Sequence, residues 1–463
     1  MPALAASALL LAAGCSSDPG PRSAAAPERV PDATSSAAAP ADDGRPLAVA
    51  AAPAATSTAV ARPGTAGGRA HKSALTVTSY DSRTRRAVIS PAHKGNPSPS
   101  QTPGETPPPS RTAVGDVIAS APAPGAPDGL LAKVTDVIDE KSDGTEVQTA
   151  PTTLDALLGD GEAKGTVPVD PASFDVEPLL PDVKVSWARA GDVHAGPEGA
   201  KVPLGSLRVD VATRVATAEG ASASAAATVS GFVQVKPEVD FSYGGGGTAA
   251  GPKTAHLGVS GDWTSRWALK GRAAASAQPV RLPFAKLHAD PVLQVGPIPV
   301  VVNLDLTCYF RISGDGRVTV DIEQDLKGDF DAGGTYDSAR GWTSVNESHM
   351  ASTPVHAQVT TAGGVQAALG AQATVGLYGA VGVTADLAPY LRGEAAGTVD
   401  VTAPAGSGTK TDAAATGTWG VYGGLDLSGT LQIQLSVFGT PVLQRGIPLG
   451  TLHREWRLAG GAV

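Results

Sequence analysis

The chain has 463 residues, of which 17% are charged and 4% aromatic, with 56 Gly, 38 Pro and a net charge of −9. That acidic balance argues against a nucleic-acid surface, which needs clustered Lys and Arg. No apolar run is long enough to span a bilayer as a mature helix. The two cysteines, Cys15 and Cys308, cannot build the disulfide framework of a small secreted domain.

In chain order, residues 1–13 form a short apolar run, and residues 8–15 read ALLLAAGC, with the small Ala13 and Gly14 just before Cys15. This resembles the lipobox of bacterial lipoproteins, in which the leader is removed before a cysteine that then carries lipid. Ala12 stands where Leu is commoner, three residues before Cys15. No Lys or Arg precedes the apolar run, a departure from secretory leaders that an upstream start codon would explain. The resemblance implies a signal peptide over 1–15, lipidation at Cys15, and an extracytoplasmic protein anchored to the bacterial cell membrane. The alternatives are an ordinary cleaved leader and a chance Cys in an Ala-rich N-terminus.

Residues 16–72 are rich in Ala, Pro, Ser, Thr and Gly. Such a segment buries too little apolar surface to offset its ordering entropy, so a disordered linker is expected. Directly behind a lipidated cysteine, it would lift a folded domain off a membrane. Residues 73–160 are expected to form a small β-rich module. Two β-rich runs flank Asp81-Ser82-Arg83-Thr84 and predict a hairpin over 74–89, with Arg83, Arg85 and Arg86 as a solvated turn. A Pro-rich loop at 96–110 follows. Strands are predicted at 114–118 and 130–138, with an Asp143-Gly144 hairpin turn. Thr152 or Thr153 is the expected cap of a short helix over Leu154, Leu157 and Leu158. The elements Val114-Gly115-Asp116-Val117 and Gly129-Leu130-Leu131-x-Lys133-Val134-Thr135, with Thr152-Thr153-Leu154 a looser match, resemble a module of uncharacterised secreted and surface lipoproteins of actinobacterial type. The match covers roughly a tenth of the chain; it implies an extracytoplasmic β-rich protein and no particular activity.

Residues 161–463 alternate apolar and polar side chains with period two. Val300, Val302, Leu304, Leu306, Cys308, Phe310 and Ile312 share one parity; Asn303, Asp305, Thr307, Tyr309 and Arg311 share the other. Successive strand side chains point to opposite faces. The predicted fold class is therefore all-β: an elongated antiparallel sheet or sandwich with long strands. Ser313-Gly314-Asp315-Gly316 reads as a turn, pairing 300–312 with 317–325 as a hairpin.

Candidate chemistry is thin. The eight histidines form no HExxH pair, and no G-x-S-x-G elbow is present. Buried Cys308 is expected to act as a small hydrophobe. Residues 329–337, DFDAGGTYD, place Asp329, Asp331 and Asp337 around a glycine turn as a weak Ca²⁺ candidate. Arg340 stands where an EF-hand loop would carry its Glu, so no metal or cofactor is assigned. Asp305, Asp321, Glu323 and Asp325 cluster near the predicted hairpin; a glycosidase would need two facing carboxylates, whereas alternate positions on a wet strand face usually carry charge for solubility. Trp263 and Trp267, on one parity, offer either core packing or a sugar platform. The expected function is a non-catalytic cell-surface lipoprotein, structural, adhesive or ligand-binding. Its expected partners are the membrane, through Cys15, and a wall or extracellular polymer or a lipid. A carrier of lipid or apolar ligand and a secreted polysaccharide hydrolase are the alternatives.

Overall fold

A computed structural model describes residues 46–462 apart from 53–55, 57, 62–69, 92–110, 142–143, 181–182, 189–193, 197–198, 202–205, 217–223, 247–250, 275–276, 353–354, 361–362, 404–411 and 441–445. Cys15 and most of the expected linker lie outside the described residues. Strand makes up 77% and helix 4%, so the fold is all-β with long antiparallel strands.

The organising element is the strand Ile298–Asp337, 40 residues long. The expected turn at Ser313–Gly316 does not form. The chain stays extended there because both of its edges are already occupied. Gly314 pairs with Ala277 on one side and Val365 on the other. At this same point the neighbours change. Ala277–Ala289 hands over to Thr254–Ala274 on one edge, while Gly363–Leu377 hands over to Val355–Thr360 on the other. The turn-like residues thus mark a junction between strand ends.

Outward from this strand the sheet continues antiparallel. Ser224–Gly244 pairs with Thr254–Ala274, and Ser206–Ala216 with Ser224–Gly244. On the opposite side, Ala380–Ala403, Asp412–Gln432 and Gly446–Ala462 follow in turn. The predicted apolar face holds: Val300, Val302, Leu304, Cys308 and Phe310 enter the main core with Trp263, Trp267, Leu369, Leu391 and Leu431. The other parity is less wet than expected, with Val301, Asn303 and Tyr309 also buried under neighbouring elements.

A seven-stranded sheet precedes it, ordered His71–Lys72, Ala59–Ala61, Val117–Ser120, Leu130–Glu140, Thr145–Pro151, Arg86–Pro91, Leu75–Asp81. Its alternation feeds two cores. Ala59, Ala61, Val117 and Ala119 pack into the main one, while Val60, Ile118, Leu130, Val134 and Val147 close on one another. The expected hairpins over 74–89 and across Gly144 are present. Three expectations change. Strand Val117–Ser120 begins later than predicted. Helix Asp155–Leu158 has Leu154 at its N-cap with no side-chain cap; the Leu154 amide instead donates to the Val437 carbonyl at 2.7 Å. The linker also ends before residue 72. Val49–Ala52 pairs with Val292–Val295, and Ala59–Ala61 is a buried strand. Short Ala/Val alternation, too weak to stand alone, is sufficient when a sheet edge is waiting.

Candidate functional site

Where the seven-stranded sheet meets the long strand, five polar side chains converge from distant parts of the chain. Asp128 sits in the loop 121–129, between Val117–Ser120 and Leu130–Glu140. Pro122, Pro124 and Pro127 restrict that loop, and Ala123 and Ala126 bridge it with two backbone hydrogen bonds of 3.0 and 2.8 Å. Gly129 closes it at φ +79°, tight against Val301, where an added Cβ would lie 2.5 Å from Val301 Cγ2. Only glycine takes that conformation and that approach together.

His288 is the penultimate residue of the strand Ala277–Ala289, and Asp290 follows the strand. Asn303 and Asp305 lie on the polar parity of the long strand. Asn303, only 7% exposed, donates from Nδ2 to Asp290 Oδ1 at 2.7 Å and Asp128 Oδ1 at 3.2 Å. Its own Oδ1 accepts the Gly379 amide at 2.6 Å. Gly379 turns at φ +77°, and an added Cβ would stand 3.0 Å from Asp128 Oδ2. His288 Nδ1 meets Asp305 Oδ1 at 2.8 Å, and Nε2 meets Asp290 Oδ2 at 2.9 Å. Asp175 is His288's partner across the other strand edge.

Burial, then the nearby Asp290 charge, holds the Asp128 carboxyl above its ordinary value. For His288, burial works toward a lower value, but hydrogen bonds to Asp305 and Asp290 outweigh it and raise the ring's pKa. Asp128, His288 and Asp290 offer ligand atoms within 4.8 Å of one another, a mixed imidazole and carboxylate set able to hold a cation.

A second polar system crosses the same face of the sheet. Arg281 lies 3.7 Å over the Tyr309 ring and 3.2 Å from Asp386, which also accepts the Tyr309 hydroxyl. Arg311 pairs with Asp426 at 2.6 Å, and Asp426 with His453 at 2.7 Å. Arg392 binds Glu455 at 2.7 Å and Glu394 at 2.5 Å. Tyr309 and Tyr390 lie flat over glycines of the neighbouring strand, Gly370 and Gly424. This ladder knits strands together laterally.

The other sequence candidates do not converge. Asp329, Asp331 and Asp337 lie along one continuous strand, with no turn at Gly333-Gly334, and Asp329 and Asp337 are separated by roughly 26 Å of strand contour. Asp329 pairs with His349 at 2.9 Å, and Asp337 caps the Ala339 amide at 3.0 Å. Asp331 stands across from Glu347, its carboxyl raised first by burial and then by Asp240. Asp325 and Asp321 pair across strands with Arg266 (2.5 Å) and Lys270 (2.9 Å). Trp263 and Trp267 are buried in the main core, which removes the sugar platform. Cys308 is buried, and desolvation pushes its thiol up to about 12, far from the thiolate a nucleophile needs. Arg86 pairs with Glu146 at 3.4 Å.

Sequence reasoning missed the converging cluster because its members come from three separate stretches. Asp128 and Asn303 are 175 residues apart. The local signals are His288-x-Asp290 and Asn303-x-Asp305, each pair on one strand parity, and neither points to Asp128. Compared with family models, curated proteins and solved structures, the chain matches none.

Proposed function

We propose that this chain is a non-catalytic extracytoplasmic protein, tethered by lipid on Cys15, whose long sheet serves as a structural or binding scaffold at the cell surface. The observation that carries the proposal is the strand Ile298–Asp337. Its 40 residues give roughly 130 Å of contour at ~3.3 Å per residue, with hydrogen-bonded neighbours on both edges through most of that length. Lateral ion pairs and tyrosine–glycine contacts stiffen the same sheet. Such an element holds binding surfaces apart and at a distance from an anchor.

Protease treatment of intact cells, followed by fractionation, tests this. The chain is expected in the membrane fraction, accessible to external protease, and released into the medium by Cys15→Ala. Retention of Cys15→Ala in the membrane, or protection from external protease, would refute it.

One observation favours a second reading, carriage of an apolar ligand. Trp263 Nε1, Ser265 Oγ and Trp267 Nε1, consecutive core-facing groups of Thr254–Ala274, are buried donors without a hydrogen-bond partner. Such donors usually find partners, and a ligand carbonyl between the layers would supply one. Native mass spectrometry decides: a co-purifying lipid supports carriage, and a mass equal to the chain alone refutes it.

A further inference from the structure

We propose that Asp128, His288 and Asp290 bind one divalent cation of the zinc or manganese class, and that this ion clamps the seven-stranded sheet to the long-stranded one. The proposal is independent of the tether and of the scaffold role.

The three ligands come from three places: a loop of the first sheet, the end of strand Ala277–Ala289, and the residue beginning the next connection. Their ligand atoms already lie within 4.8 Å of one another. Ligand atoms around a tetrahedral zinc lie roughly 3.5 Å apart, given bonds near 2 Å, so small side-chain rotations close the set. One imidazole and two carboxylates suit a borderline cation better than Ca²⁺, which takes six to eight oxygens.

The surroundings orient the set. Asp305 accepts from His288 Nδ1 at 2.8 Å, the carboxylate–histidine arrangement that leaves Nε2 as the ligand atom. Asn303, buried beneath, holds one oxygen of each aspartate through Nδ2. That leaves Oδ2 of Asp290 facing His288 Nε2 at 2.9 Å, the place an ion would take. Asp128 Oδ2 lies beside Gly379, where a side chain would intrude. The charge balance agrees. Among the described ion pairs, Asp290 and Asp305 meet no cation other than His288, and Asp128 is in none. A cation would offset carboxylates crowded at a half-buried junction.

The position gives the ion a mechanical consequence. Asp128 rides on the loop 121–129, which also meets the large sheet through apolar contacts of Ala121 and Gly129 with Val292 and Val301. A bound ion adds a polar bond from that loop to the neighbouring strands.

The test is equilibrium dialysis of the purified full-length protein against Zn²⁺ alone, Mn²⁺ alone or Ca²⁺ alone, with elemental analysis and limited proteolysis. One ion per chain is expected. Asp128→Asn and His288→Gln, both close in shape to the native side chains, are each expected to weaken binding at least tenfold while circular dichroism stays unchanged. The ion is expected to slow cleavage within 121–129 in the parent but not in D128N. Asp329→Asn, altering a separate His–Asp pair, should bind as the parent does. Absence of stoichiometric binding, equal binding by D128N and H288Q, loss of binding in D329N, or preference for Ca²⁺ over both ions would each overturn the proposal.

Discussion

Gly370→Ala places a sharp local demand on this sheet. Gly370 faces Tyr309 across the pair Ile298–Asp337 and Gly363–Leu377. A Cβ there would lie 2.2 Å from Tyr309 Cζ and 2.5 Å from its hydroxyl oxygen. The ring cannot yield freely, because Arg281 lies 3.7 Å above its centroid and its hydroxyl is bound to Asp386. If the ring swings away, it gives up a cation–π contact of about 0.5–1 kcal/mol and a hydrogen bond of about 1 kcal/mol. Replacing a strand glycine with alanine returns about 0.5–1 kcal/mol of chain entropy. The net expectation is a loss of about 1 kcal/mol, and up to ~3 if the ring is trapped and the clash remains. Urea unfolding of a double-mutant cycle reads the coupling. In a Tyr309→Ala background the same substitution should be neutral or mildly stabilising, giving a coupling of about 2 kcal/mol. Gly446→Ala, whose added Cβ meets nothing closer than 3.6 Å, should change stability by no more than about 0.5 kcal/mol. Equal effects of Gly370→Ala in both backgrounds would refute the packing and the strand register behind it.

Gly314→Pro should destabilise by about 3 kcal/mol or more, because a mid-strand proline loses a ladder bond; a chain that turned at Ser313–Gly316 would accept it at the second turn position. Cys308 should resist a thiol reagent at about pH 8 in the native protein, since burial raises its pKa, and should react fully in denaturant; native labelling would contradict its burial. Arg392→Gln should cost about 1 kcal/mol near neutral pH, the scale of a partly exposed ion-pair network. Glu394 and Glu455 sit below their ordinary value of 4.5, through hydrogen bonds to Tyr422 and Arg392 in the first case and to Arg392 and Tyr390 in the second. Their stabilisation is therefore complete above that value and lost as pH falls through the lowered ones. The gap between parent and Arg392→Gln, followed by urea unfolding against pH, should narrow on acidification; a gap that widens would contradict the network.

The strand faces were legible because the side-chain period of two survives in any sheet, whatever the partners. Val300, Val302, Leu304, Cys308 and Phe310 are buried on one face. Pairing was less legible, since it depends on which edges compete for a strand. Ser313–Gly316 carries turn chemistry, yet neighbours on both edges hold it extended. Val49–Ala52 shows the reverse, a weak local pattern made into a strand by the open edge of Val292–Val295. The candidate site was least legible. Asn303 and Asp305 read as alternating residues of a polar face, and Asp128 as part of a Pro/Gly loop. The packing of Ala121 and Gly129 against Val301 brings that loop over the long strand. The Tyr309–Gly370 contact was hidden for the same reason, because a glycine's use as a seat for a ring depends on register, not on its own surroundings in sequence.

The proposed tether and surface location bear most directly on the proposed role, and the processed N-terminus tests both. Mass spectrometry of the N-terminal peptide from the membrane fraction should find a chain that begins at Cys15, with lipid on its sulfur. A chain that retains residues 1–14, or one whose Cys15 is an unmodified thiol, would contradict the proposed anchor and the scaffold role built on it.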